Sequence, residues 1–201
     1  MSERFVCSDH HLSHENICKF VRRDGVTPLR PYDNADEMDE DLIKRHNSVV
    51  GKNDVVYFLG DVAINTNQLH LLDRMNGSKR LILGNHDKGQ MGLYAKHFKK
   101  IQAYRTFPND FIFSHIPLHP DSIGARFVTN VHGHTHADEV MWTPNHPKKF
   151  EVDPRYYCVC MENIDYTPIS FDDLKSRIKK RQEDAHYVPP VKPPRIPNQK
   201  G

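Results

Sequence analysis

Five short blocks of His and Asp punctuate the chain between residues 9 and 136: Asp9-His10-His11, Gly60-Asp61, Gly84-Asn85-His86-Asp87, His115 and Gly133-His134-Thr135-His136. Their imidazole nitrogens, carboxylates and amide oxygen are donors that together suit Mn, Fe, Co, Ni or Zn. Mg²⁺ and Ca²⁺ prefer shells of oxygen alone. No block supplies a cysteine, which disfavours a closed structural zinc site. One residue separates Asp9 from His11, and again His134 from His136. On an extended backbone that spacing turns both side chains to one side. Enough ligands are present for two ions, which at a spacing of ~3.5–4 Å can activate water and polarise a phosphoryl group.

The elements that must position these blocks are legible as short apolar runs. Phe5-Val6-Cys7, Val55–Leu59, Arg80–Leu83, Phe111–Phe113 and Phe127–Val131 each end at or just before a block, and Tyr156–Cys160 is a sixth run. All read as buried strands. Helical patterns lie between them. Asn34 can cap a helix over 35–49, with acids crowded at its start. A second pattern covers 68–75. Ser170-Phe171-Asp172-Asp173 resembles a capping box and opens a helix to about Asp184. Alternating strands and helices predict an α/β architecture, with ligands gathered at the carboxyl ends of the strands.

Composition sets the outer limits. The 201 residues suit one domain with a tail, and the net charge of +2 is uneven. Residues 175–201 carry eight Lys or Arg against two Asp or Glu, so residues 1–174 hold 20 basic against 24 acidic. The last stretch, from about 187 to 201, is proline-rich and basic and reads as a disordered tail beyond a domain at 1–186. No run is apolar enough to span a bilayer, and the start lacks the features of a signal peptide. The four cysteines form no CxxC pair, so reduced thiols and a cytoplasmic location (a host's cytoplasm, if phage-encoded) are expected.

In their order, the five blocks resemble the calcineurin-like metallophosphoesterase superfamily. The flanks Ser8–Ile17 and Glu162–Ser170 look like a small phage and bacterial branch of predicted phosphoesterases, so the likeness spans roughly residues 4–180. The resemblance implies a four-layer αββα sandwich, two mixed sheets flanked by helices. It implies two divalent ions, Mn²⁺ first among Ni²⁺, Fe²⁺, Co²⁺ and Zn²⁺. Asp9, His11 and His136 would hold one ion and Asn85, His115 and His134 the other, with Asp61 bridging. His86 would face the substrate as proton donor, with Asp87 hydrogen-bonded to it and raising its pKa.

The implied reaction is in-line attack of a metal-bridging hydroxide on a phosphoric ester. A phosphodiester (nucleotide, cyclic nucleotide or nucleic-acid end) is expected ahead of a monoester. Many members carry an arginine near the first or third block to clamp phosphate. Here His10, His14 and Lys88 stand near those positions, and Arg126, Arg22 and Arg23 are further candidates. No membrane partner is expected.

Blander readings apply to much of this. The chain has fourteen histidines, and His46, His70, His97, His146 and His186 read as ordinary surface or half-buried residues. His132 reads as strand packing. A protein of this fold that is catalytically silent and serves as a scaffold, or a nucleic-acid-binding module, would carry the same elements. Retention of seven ligands together with His86 favours catalysis.

Overall fold

The computed structural model describes residues 2–188 except Gln90, Asn109 and Pro144. Nearly all of the expected proline-rich tail, from residue 189 on, lies outside the described residues.

Two mixed sheets carry the fold. The first joins β1 (Arg4–Cys7), β2 (Val55–Phe58), β3 (Ser78–Ile82), β4 (Lys100–Gln102) and β9 (Ile169–Ser170) in the order β4-β3-β2-β1-β9. Its first four strands are parallel, and β9 pairs antiparallel with β1. The second joins β5 (Arg105–Thr106), β6 (Phe111–Phe113), β7 (Thr129–His132) and β8 (Tyr156–Cys158), with β5 antiparallel and the rest parallel.

Parallel strands are buried on both faces, which explains why β1, β2, β6 and β8 are nearly continuous apolar runs. The sheets meet through aromatic rings. Tyr57 of β2 lies 5.5 Å from Phe113 of β6, edge to face, and Phe171 packs on both.

Helices flank the sheets. α1 spans Ala35–Val49, and the Asn34 side chain accepts from the Glu37 amide. It buries Met38, Leu42 and Ile43. Two single-turn helices follow, α2 (Met91–Tyr94) and α3 (Pro120–Ile123). α4 spans Phe171–Asp184, and the Ser170 hydroxyl accepts from the Asp173 amide as the capping pattern predicts. α4 begins beside β9 and ends against the second sheet, where Gln182 donates to Thr129 Oγ1 and the Pro154 carbonyl. No described helix is long and apolar enough to cross a membrane.

The expected sites of α1, α4 and six of the strands hold to within a few residues. The pattern at 68–75 is a 3₁₀ helix, Thr66–Arg74, rather than an α-helix. Its buried residues explain this: Leu69, Leu72 and then Met75 repeat every three positions, the 3₁₀ period. The expected strand to Cys160 stops at Cys158, although Cys160 still bridges Ser8 beyond the end of β1.

Candidate metal centre

The blocks converge because the strands that carry them run parallel and end at one rim. Asp9 and His11 follow β1, Asp61 follows β2, and Asn85 follows β3, all in the first sheet. His115 follows β6 and His134 and His136 follow β7, in the second. The site thus straddles both sheets. Close approach at the rim demands glycine: a Cβ on Gly84 would collide with the Asp61 carboxylate, and one on Gly133 with the side chains of Ser8 and Asp9.

The expectation of an extended backbone through the paired ligands fails. Asp9, His11, Asp61, His134 and His136 have φ of 58°, 51°, 50°, 70° and 51°. Each is in the left-handed region, which non-glycine residues seldom adopt and which costs roughly 1–2 kcal/mol per residue. The paired side chains do gather at the rim, but tight left-handed turns aim them rather than strand alternation.

Asp9 is fully buried and its two oxygens are treated differently. Oδ2 accepts from Ser8 Oγ (2.5 Å), the His134 amide (2.9 Å) and Cys160 Sγ (3.2 Å). Oδ1 is buried with no hydrogen-bond partner among the described residues, and so is His11 Nε2, 3.7 Å away. Buried polar atoms are nearly always satisfied. Two bare ligand atoms at that separation come close to a pair on one cation, since metal–ligand bonds of about 2.0–2.2 Å place neighbouring donors about 3–3.6 Å apart. Asp61 Oδ2 lies 3.8 Å from His11 Nε2 and 3.4 Å from His115 Nε2, so one carboxylate oxygen faces both halves of the cluster. Asn85 Oδ1 sits 2.8 Å from His115 Nε2 and 2.9 Å from His134 Nδ1. Asp9, His11 and Asp61 form one group able to hold an ion, and Asp61, His115 and His134 form a second. The donor set of imidazole, carboxylate and amide suits a divalent transition ion at each.

Cys160 also lies within reach of Asp9 and His136. Burial pushes its thiol pKa well up, and it faces the oxygen of Asp9 that is already hydrogen-bonded. It therefore reads as a support for Asp9 rather than as a ligand.

Outer contacts set the ligand tautomers. His115 Nδ1 donates to the Leu59 carbonyl (2.7 Å), which leaves Nε2 toward the site. His136 Nδ1 lies 3.2 Å from Glu162 Oε1, which likewise turns Nε2 inward. Glu162 is paired at 2.8 Å with Arg30, and both side chains are wholly buried. Arg30 also donates to the carbonyls of Asp9 and His10. Arg30 and Glu162 lie in stretches that read as loop, so sequence reasoning missed the role of both. The one available signal for Glu162 was its place in the closing motif 162–170.

Charge at the site is shared between carboxylates and imidazoles. Burial raises the Asp9 carboxyl, yet the adjacent imidazole of His11 and the charges of His115 and His136 hold it below the ordinary range. Burial lowers His115, but its bond to Asp61 and the charges of Asp9 and Asp61 outweigh this and lift it to about 9. The cluster attracts positive charge and takes protons when nothing else supplies it.

The expected hydrogen bond from Asp87 to His86 is not formed. Asp87 is buried and accepts from the amides of Asp61 (2.9 Å), Val62 (3.0 Å) and Gly84 (2.8 Å). Three backbone donors outcompete one side chain, and Asp87 ties the β2 and β3 loops together. His86 is exposed, with its ring 5.8 Å from that of His11. Its amide donates to Asp61 Oδ1 (2.8 Å), and its own ring is not hydrogen-bonded among the described residues.

Of the expected substrate contacts, His10 is corrected. It is 1% exposed and stacked at 4.7 Å on Phe58, because it points into the core beneath the site. His14 is half-buried, 5.6 Å ring to ring from His11, and stands beside the cluster. Lys88 and Arg126 are exposed and form no ion pair among the described residues, so nothing ties either to the cluster.

No family model matches the chain. It is similar to the uncharacterized protein MJ1445 of Methanocaldococcus jannaschii, with 33% identity over 190 residues that cover 90% of this chain and 93% of that one. It is also 27% identical to the Gene 66 protein of Mycobacterium phage L5, over 76% of this chain and 86% of the phage protein. The Gene 66 protein of Mycobacterium phage D29 matches at the same identity, over 76% and 87%. Among solved structures, the protein of unknown function AQ665 from Aquifex aeolicus superposes with a TM-score of 0.60 at 23% identity, covering 88% of this chain and all of that one. That likeness speaks to the fold alone. Identity at one residue in three along almost the whole of both chains places this chain in the same family as the archaeal protein MJ1445.

Proposed function

We propose that this chain is a binuclear metal-dependent phosphoesterase with the metallophosphoesterase fold. The observation that carries the reading is the pair of buried, unpartnered ligand atoms, Asp9 Oδ1 and His11 Nε2, beside an Asp61 oxygen facing both donor groups. Such an arrangement is costly to bury unless cations complete it. Asp9, His11, His136 and Asp61 would hold one ion, and Asp61, Asn85, His115 and His134 the other. Bound there, two divalent ions would supply Lewis acidity toward the phosphoryl oxygens and a nucleophile drawn from water.

The chain's own residues do the rest. Asp61 and Asn85 fix the two halves at one separation. Glu162 and Leu59 hold His136 and His115 with Nε2 inward. His86 stands at the exposed side with a free ring, placed to donate a proton to the leaving oxygen. An exposed rim suits a phosphodiester better than a small monoester alone.

The test is hydrolysis of bis-p-nitrophenyl phosphate and p-nitrophenyl phosphate after loading with Mn²⁺, Ni²⁺ or Zn²⁺, with metal counted by elemental analysis. Turnover with about two ions per chain is the expected result. Absence of cleavage with every ion, and fewer than two ions bound, would instead leave a catalytically silent scaffold.

A further inference from the structure

A cavity of about 530 Å³ opens beside the cluster, and the ligands His134 and His136 form part of its wall. Its remaining walls come from the segment 20–29 on one side and residues 137–140 on the other. Neither segment belongs to the five blocks. The floor and sides are apolar: Phe20, Val21, Leu29, Ala137 and Val140. Phe20 and Val21 are unusual for their type in being 49% and 50% exposed. An exposed aromatic ring in a concave site next to reactive groups is a contact surface awaiting a partner.

The wall is built rather than loose. Leu29 donates its amide to the Phe20 carbonyl (2.8 Å), Arg22 to Thr27 (2.8 Å), and Val21 bridges Pro28. Asp24 closes the turn by accepting from the amides of Val26 and Thr27 (both 2.9 Å) and from the Thr27 hydroxyl. Across the cavity, Arg23 reaches Asp138 at 2.9 Å. The Phe20 ring stands edge-on to His14, 6.1 Å away, and His14 in turn neighbours the ligand His11. A row of rings thus leads from the cluster to the cavity. Arg22 lines the same space, is exposed, and has no ion pair among the described residues.

We propose that this cavity is the subsite for the nucleoside of a nucleoside phosphate ester, with the base against Phe20 and Arg22 facing a flanking phosphate. This rests on the phosphoesterase reading of the adjoining cluster. Three features select the occupant. A phosphorus held at the cluster leaves its substituent at the cavity mouth, since His134 and His136 serve both. The exposed ring and aliphatic walls fit a flat aromatic group, and base stacking on such a ring is tolerant of sequence. The rim offers Arg22 to a flanking phosphate, whereas Asp138 and Glu139 are already paired with Arg23 and Arg181. An acyl chain would leave the Arg22 charge unserved.

The experiment compares three esters with the same leaving group on Mn²⁺-loaded protein: methyl p-nitrophenyl phosphate, and the p-nitrophenyl esters of thymidine and adenosine 5′-monophosphate. The wild type should prefer a nucleoside ester by about tenfold or more in kcat/KM, and Phe20→Ala should bring the ratio to within about twofold of unity. Arg22→Ala should leave this ratio within about twofold, since these esters carry no flanking phosphate, and should lower the preference for thymidine 3′-phosphate 5′-(p-nitrophenyl phosphate) over the p-nitrophenyl ester of thymidine 5′-monophosphate. No preference in the wild type, or an unchanged ratio in Phe20→Ala, overturns the proposal.

A second measurement needs no turnover. Saturation transfer from EDTA-treated protein to the base protons of thymidine 5′-monophosphate should be present in the wild type and lost in Phe20→Ala. Transfer without cleavage of any ester keeps the subsite and removes the phosphoesterase reading. Cleavage of all esters at equal rates without transfer does the reverse.

Discussion

The two halves of the cluster are built to different standards. Around Asp9 and His11 the wall is thick: Asp9 is 0% and His11 4% exposed, and Ser8, Cys160, Arg30 and Glu162 brace this half from below, with only His136 reaching the cavity. Beneath these lies a stack in which Phe58 sits between the rings of His10 (4.7 Å) and His46 (6.0 Å). Around Asn85 and His134 the wall is thin. His134 and His86 are exposed, Asn85 is half-buried, and the support is one loop tied by Asp87. On the proposed reading, a braced half would resist loss of an ion, while an open half would let a substrate reach one. The asymmetry teaches that affinity and access are assigned to different sides of one shared carboxylate, Asp61.

The largest effect should come from the open side. His86→Ala removes an exposed ring that makes no hydrogen bond among the described residues, so metal content should persist and stability should move by no more than about 0.5 kcal/mol. Turnover should fall by roughly 10²–10⁴-fold, more steeply for esters with poor leaving groups. Equal metal loss in His86→Ala and Asp61→Ala would erase the distinction between the halves.

A smaller effect should come from the braced side. Glu162→Ala frees His136 to turn and strands the buried Arg30 charge. Metal affinity should weaken about 10–100-fold, and the fold should lose about 3–5 kcal/mol, read from competition with a chelator and from urea unfolding. Arg30→Met with Glu162→Gln should recover part of that stability without restoring affinity. Recovery of both would show the brace to be packing alone.

The smallest effect probes the stack below. Burial lowers His46 to about 4, although its contact with the Asn76 carbonyl works against this. An unfolded histidine titrates near 6.5, so between pH ~6.5 and ~4 the unfolded chain binds the extra proton. Stability from this residue is therefore complete above pH ~6.5 and is lost as pH falls toward ~4, by a total on the order of 3 kcal/mol. His46→Gln should flatten that part of the stability–pH curve measured by denaturant unfolding. An unchanged slope would show that the ring is hydrated.

Much of the site could be read in the chain because its candidate ligands are chemically distinctive residues set after apolar runs. Asp9, His11, Asp61, Asn85, His115, His134 and His136 are brought together at one rim. What could not be read is the backbone that aims them. A left-handed φ at an aspartate or histidine leaves no mark in composition, and the period-two expectation failed there. Asp87 was misassigned because adjacency suggested His86, whereas the partners are amides from 61, 62 and 84. His46, read as an ordinary surface or half-buried residue on a helical pattern, is buried and carries part of the support. β4, β5 and β9 span two or three residues each, too short for any periodicity, and each is an edge strand that pairs on one side only.

The brace also has a consequence in time. Arg30 joins the carbonyls of residues 9 and 10 to a carboxylate at 162, and β1 receives its antiparallel partner only at Ile169–Ser170. A chain emerging from the ribosome would hold its last ligand, His136, before it held the means to fix it. Contacts so distant in sequence close late. The nascent protein would pass through a stage with every donor present and none of them rigid, and any selectivity among ions would arise only once residues 162–170 have been made.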